Sequence, residues 1–147
     1  LQIVSAIKTD TFSTTSTTFT DLTGLSIAIT PSLASSNIMA VVSVTAGRAA
    51  GTRMLFRLLR DATPVGVGDA AGSRLQASFA VGDDGSAGMD TTGFNFVDSP
   101  ATTSAVTYKI QGLIDSGTLY INRTATDTNS STWGRCASTI TLYEIGA

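Results

Sequence analysis

Arg53-Met54-Leu55-Phe56-Arg57-Leu58-Leu59-Arg60 reads as helix or as strand, and the fold class turns on which period wins. Arg53, Arg57 and Arg60 recur at i, i+4 and i+7, one face of a helix, with Met54, Phe56, Leu58 and Leu59 on the other. Read as a strand, Met54, Phe56 and Leu58 point one way and Arg53 and Arg57 the other. Eight residues is short for a helix and ordinary for a strand. The segment is therefore expected to be extended, with Phe56 buried and Arg57 on the opposite face, and the chain is then all-β.

The flanking sequence agrees. Upstream, Ile38 to Thr45 is apolar on both faces over most of its length, as in a central strand covered on both sides. Leu25, Ile27 and Ile29 alternate with Ser26, Ala28 and Thr30, the period of a half-buried strand. Leu1 to Lys8 is a first strand. The hydroxyl-rich run Thr9 to Thr18 reads as an irregular polar segment anchored by Phe12 and Phe19. Downstream, Asp61 to Ser73 is a Gly- and Ala-rich loop with a short extended piece at Val65 to Val67, and Leu75 to Val81 is a strand. Gly82-Asp83-Asp84-Gly85 is a turn cluster and Phe94 to Val97 a short apolar strand. Ala105 to Ile114 is a long strand with Val106, Tyr108, Ile110 and Ile114 on its core face. Asp115-Ser116-Gly117 is expected to turn it as a hairpin into Thr118 to Arg123. After a polar loop, Thr124 to Gly134, the chain closes with Cys136 to Ile145. About eight to ten strands with regular turn signals predict a β-sandwich or jelly roll, with residues 1–147 forming one domain.

Composition narrows the class. Charged residues are 14% of the chain, well below the roughly 25% of ordinary soluble domains. Ser and Thr, 41 residues together, take over the solvent-facing role. A net charge of −2 leaves no footprint for nucleic acid. No stretch approaches the roughly 20 apolar residues of a membrane helix, so neither nucleic acid nor membrane is an expected partner. Leu1-Gln2-Ile3-Val4 lacks the basic and apolar regions of a signal peptide. It also lacks an initiator Met, as a processed chain or a piece of a longer polypeptide would. The single cysteine, Cys136, excludes an internal disulfide framework and reads as a small apolar strand residue.

The chemistry-bearing motifs are weak. There is no histidine, which removes Ser-His-Asp and Cys-His nucleophile systems and ordinary zinc sites. Asp83, Asp84 and Asp90 sit among turn glycines and read as solvated turn residues; neither they nor Asp127-Thr128-Asn129 match a calcium loop. Gly66-Val67-Gly68-Asp69-Ala70-Ala71-Gly72 has its third glycine misplaced for a dinucleotide loop, with no helix to follow. Its glycines are instead expected to let the loop run close to another backbone. The sequons at Asn122 and Asn129 are expected by chance in so Ser- and Thr-rich a chain. No catalytic residue, cofactor or metal is expected, and the chain reads as a non-enzyme.

Trp133 is the one residue with recognisable binding potential. An exposed indole beside Asp127, Asn129 and Arg135 would stack on a sugar ring while the polar groups bind its hydroxyls, as a fibre-tip receptor module would use against host surface glycans. The alternative places Trp133 at the end of the sandwich or at a subunit contact.

Several phrases carry a resemblance. Arg60-Asp61-Ala62-Thr63-Pro64-Val65-Gly66-Val67-Gly68-Asp69-Ala70-Ala71-Gly72-Ser73-Arg74 resembles a stretch of virion proteins of tailed bacteriophages, notably those of cyanobacteria. So do Asp98-Ser99-Pro100-Ala101-Thr102-Thr103 with Tyr108-Lys109-Ile110, and Tyr120-Ile121-Asn122-Arg123 with Ser138-Thr139-Ile140-Thr141-Leu142-Tyr143-Glu144-Ile145. Lys8-Thr9-Asp10-Thr11-Phe12-Ser13 and Leu22-Thr23-Gly24-Leu25-Ser26-Ile27 fit the same family. The resemblance implies a trimeric tail-fibre or capsid-associated (decoration) protein of the virion, in contact with itself and with other virion proteins, and carries over no catalytic residue.

Self-association is also expected from the residues. Mean hydropathy is positive, +0.23, and the last strand has large residues on both faces. Ile140 and Leu142 would pack inside, leaving Tyr143 and Ile145, beside Leu119 or Tyr120, as an apolar patch for a subunit interface.

Overall fold

Every element of the computed structural model, which describes residues 1–82 and 88–146, is a strand or a loop. The strands are β1 (Ile3–Lys8), β2 (Phe12–Thr14), β3 (Thr20–Ile29), β4 (Asn37–Arg48), β5 (Met54–Arg60), β6 (Thr63–Val65), β7 (Phe79–Val81), β8 (Gly88–Asp98), β9 (Val106–Ile114), β10 (Leu119–Ile121) and β11 (Ser138–Ile145). They form two antiparallel sheets. In the first, β1 pairs with β11 and β11 with β4. Strand β8 pairs with β4 along nearly its whole length, so β11 and, beyond it, β10 share the opposite edge of β4; β2 then pairs with β10. In the second sheet β3 pairs with β9 and β9 with β5, whose far edge carries β6 and β7 in succession.

Alternation supplies the core. Ile38, Ala40, Val42 and Val44 of β4 and Ile140 and Leu142 of β11 point inward, against Met54, Phe56 and Leu58 of β5 and Val106, Tyr108 and Ile110 of β9. The arginine-bearing segment is extended as its length argues. Phe56 is fully buried, and Arg57 lies on the other face over the Phe19 ring at 4.2 Å. In β3, Leu22 and Leu25 are both buried although three apart. The register breaks between Asp21 and Ser26, and Gly24 at φ +90° supplies the bulge that resets the parity.

Several expectations change. Strand β4 is central in its sheet, but its outer face is sealed only at the Thr45 and Gly47 end; Met39, Val41 and Ser43 on that face are half-buried, with no second layer over them among the described residues. The expected hairpin at Asp115-Ser116-Gly117 is not one, because β9 and β10 pair in different sheets. The turn instead crosses the sandwich, held by the Asp115 carboxylate accepting from Arg53 N at 2.9 Å. Alternating patterns on both sides of a turn do not distinguish pairing with each other from facing each other across a core. The expected strand Leu75 to Val81 shrinks to Phe79–Val81, with Leu75 exposed, and the extended piece at Val65 to Val67 moves to Thr63–Val65. The short strand at Phe94 to Val97 grows to Gly88–Asp98, because ladder pairing with β4 extends it through polar residues. Thr9 to Thr18 contains β2, which holds Phe12 against the core. Asp83, Asp84 and Gly85 of the turn cluster lie outside the described residues.

Buried polar groups tie the layers together. Arg60 donates to both oxygens of Asp98, at 2.9 and 2.8 Å, and the Tyr108 hydroxyl donates to Asp98 Oδ2 at 2.6 Å. Glu144 points inward. It accepts from Ser32 N at 2.5 Å, Ser32 Oγ at 3.0 Å and Gln2 Nε2 at 3.1 Å, pinning the Pro31–Ser36 loop to β11. The backbone donor of Ser32 above all holds the Glu144 carboxyl down at about 2.

Candidate functional site

Two surfaces at opposite ends of the first sheet bring the expected site residues together or separate them. The first lies on the loop between β10 and β11, whose base is rigid. Asn122, fully buried and left-handed at φ +63°, donates through Nδ2 to the carbonyls of Lys8 and Asp10 at 2.8 and 2.9 Å. Its Oδ1 accepts from Ser138 Oγ at 2.7 Å, and Ser138 Oγ accepts from Thr45 N at 2.9 Å. Asn tolerates this backbone region better than most residues. With its amide committed, Asn122 offers no acceptor for glycosylation.

Above that base, Arg135 grips Asp127 with two parallel hydrogen bonds, Nη1 to Oδ1 and Nη2 to Oδ2, the latter at 2.9 Å, and Arg123 adds a third nitrogen at 3.5 Å. The guanidinium of Arg135 holds the Asp127 carboxyl below the usual carboxylate range, and the carboxylate raises Arg135 in turn. Arg123 also lies over the Tyr120 ring at 4.1 Å. Trp133 closes a turn, its backbone N–H donating to Ser130 O at 3.1 Å. Trp133, Asp127, Asn129 and Arg135, expected from sequence to act together, line one depression of about 320 Å³ with Thr128 and Ser130. Trp133 is 42% exposed and also walls a second, smaller depression beside Arg48 and Thr124.

The second surface is the outer face of the first sheet at its other end. The ladder sets Ile3 opposite Tyr143, Tyr143 opposite Met39 and Met39 opposite Val97. Four apolar residues thus cross four strands in one row. Ile3 is 65% exposed, Val97 53% and Tyr143 37%, with Leu1 and Ile145 exposed at the same end. Tyr143 and Ile145 do point outward while Ile140 and Leu142 point inward. Leu119 does not belong to this surface: it is fully buried in the core, because β10 turns its Leu119 and Ile121 inward. Tyr120 is also remote from it, standing opposite Gly47 while Tyr143 stands opposite Met39. Sequence reasoning missed Ile3, Met39 and Val97, since only cross-strand register puts them beside Tyr143.

Among the described residues no group of three or more His, Cys, Asp and Glu is placed to hold a metal ion. Asp90 is paired with Arg48, and Asp127 with Arg135. Among them, too, no helix is long and apolar enough to cross a membrane. The Gly66 loop precedes no helix; Gly66 lies against the Phe94 and Phe96 rings, and Gly68 runs along another backbone, its N–H donating to Ala77 O at 3.1 Å. No family model and no curated protein matches the chain.

Proposed function

We propose that this chain is a non-enzymatic structural module of a bacteriophage virion, a self-associating jelly roll in a tail fibre or on the capsid surface. The observation that carries self-association is the row Ile3–Tyr143–Met39–Val97, an apolar stripe across a sheet face that stays open among the described residues. Contiguous exposed apolar surface of this kind marks an interface. The partner it fits is a second copy, because uncharged apolar surface on one copy can cover that of the next, and head-to-tail contacts of this kind close into a ring.

The strand orders β1-β11-β4-β8 and β3-β9-β5-β6 support the jelly-roll reading. They interleave early and late strands in each sheet, as two nested Greek keys do. The virion assignment and three-fold closure rest on the resemblance of the loop and strand phrases to tailed-phage virion proteins. Other virion proteins are then the further partners, with no part for nucleic acid or membrane. Sedimentation velocity at micromolar concentration is expected to give a trimer, and a monomer sinks the reading. Locating the subunit in intact particles by electron microscopy separates tail from capsid.

A further inference from the structure

The geometry points to a glycan-binding site in the depression walled by Trp133, taking a hydroxyl-rich pyranose ring of a surface polysaccharide. Three independent features converge there. The first is an aromatic face: Trp133 is the only tryptophan of the chain and is substantially exposed on a loop instead of being spent in the core. The axial C–H face of a pyranose is apolar and packs against such a ring, while its rim of hydroxyls needs polar partners.

The second feature supplies those partners. The Asp127–Arg135 fork presents a carboxylate acceptor beside guanidinium donors, and Asn129 adds an amide with both. A vicinal diol both donates and accepts, so an acceptor-donor pair fixed side by side matches it better than a single charge does. The carboxylate also orients the guanidinium before any ligand arrives, which lowers the ordering cost of binding. At about 320 Å³ the depression is at the small end of the roughly 300–1,000 Å³ range of small-ligand clefts, the scale of one sugar unit and not a long chain buried whole.

The third feature is the loop's footing. Asn122 and Ser138 anchor its two ends through buried hydrogen bonds, so the side chains stand on a rigid frame. Trp133 also walls the depression beside Arg48 and Thr124. At about 60 Å³ that hollow is too small for a second sugar ring, so the site takes one ring and leaves the rest of the glycan in solvent.

The site goes beyond self-association and does not rest on it, because the cleft and the apolar stripe sit at opposite ends of β4, near Arg48 and near Met39 respectively. The test uses the full chain on an array of neutral and uronate-containing oligosaccharides, followed by fluorescence titration with whichever binds. With a single tryptophan, any saturable change in indole emission reports on Trp133 itself. The expected result is saturable binding, weakened at least tenfold by Trp133→Ala and severalfold by Asn129→Ala, with sedimentation unchanged in both variants. Asn129→Ala keeps the test decisive if the tryptophan variant misfolds. No binding to any glycan of either class overturns the proposal. So does binding that survives both substitutions, or a Trp133→Ala protein that folds but changes its oligomeric state, which would make Trp133 a subunit contact.

Discussion

The Tyr108 hydroxyl, on β9 of one sheet, hydrogen-bonds at 2.6 Å to Asp98, at the end of β8 in the other, so the two layers are clasped by a buried polar pair at the mouth of the sandwich. Arg60 completes the clasp from β5. Burial, with the hydrogen bond and charge of Asp98, pushes the Tyr108 phenol well above its ordinary value, so it stays a donor at any working pH. Removing the carboxylate strands both donors, whereas removing the hydroxyl leaves Asp98 still paired with Arg60. Asp98→Ala is therefore expected to cost about 2–3 kcal/mol and Tyr108→Phe about 1–2 kcal/mol in urea unfolding. Equal losses would show that the tyrosine, and not the carboxylate, holds the clasp.

Acid should release the other buried carboxylate. Glu144 has its folded value depressed from 4.5 to about 2, so the stabilisation it gives is complete above about 4.5 and disappears as pH falls through about 2. Asp10, Asp21, Asp115 and Asp127 are also shifted down and act in the same direction. The discriminating measurement is the difference between the chain and Glu144→Gln. The gap in melting temperature between them should be largest near neutral pH and close between about 4.5 and 2. A gap independent of pH over that window would mean that the variant's loss comes from shape rather than charge.

The strands whose alternation decides their faces were legible from sequence. Phe56 inward with Arg57 outward, the core face of β9, and the opposite faces of Ile140 and Tyr143 all follow from period two. Partnership was not legible. Nothing in Val106 to Ile121 tells a hairpin from a crossing between sheets, and nothing near Val97 announces that it ends beside Met39. The Trp133 cleft was legible because its members lie within one short loop, where sequence proximity stands in for spatial proximity. Glu144 was missed as a buried group although alternation sets it on the inward face with Ile140 and Leu142, because nothing near it in the sequence announces the Pro31–Ser36 loop that supplies its hydrogen bonds.

Two glycines separate backbone strain from crowding. Gly66 and Gly72 have nearly equal dihedrals, φ +60° and +62°, but a Cβ at Gly66 would lie 2.8 Å from both the Phe94 and Phe96 rings, while at Gly72 it would meet nothing within 4 Å. Gly72→Ala should cost only the left-handed penalty, about 1 kcal/mol. Gly66→Ala should cost about 1–3 kcal/mol more, as the rings of the Phe56–Phe79–Phe94–Phe96 stack are forced apart. Equal losses in thermal unfolding would show that the ring stack gives way freely.

The outer stripe yields the sharpest test of assembly. Tyr143 and Ile145 are 37% and 40% exposed, and their inward neighbours Leu142 and Glu144 carry the packing of β11. Replacing both with Ser therefore removes apolar surface from the outside while leaving the core untouched. The β-sheet circular dichroism should be retained and the melting temperature of the separated subunit should change little. Association should weaken, because the two residues contribute the centre and the end of the patch. Val97→Lys tests the far end of the same row: a charge set in an apolar contact costs more than lost area does, so this single change should dissociate the oligomer at least as well as the double one. The two results together locate the contact. Dissociation by both assigns the whole row Ile3–Tyr143–Met39–Val97 to the interface. Dissociation by the Tyr143 and Ile145 pair alone confines it to the β1–β11 side, where β1 is an edge strand whose Ile3 and Ile7 are 65% exposed. An oligomer that survives both variants moves the contact off this sheet face, to the hydroxyl-rich Thr9 to Thr18 segment around β2. Unfolding of the double variant would mean that the outer face carries stability that its exposure does not show.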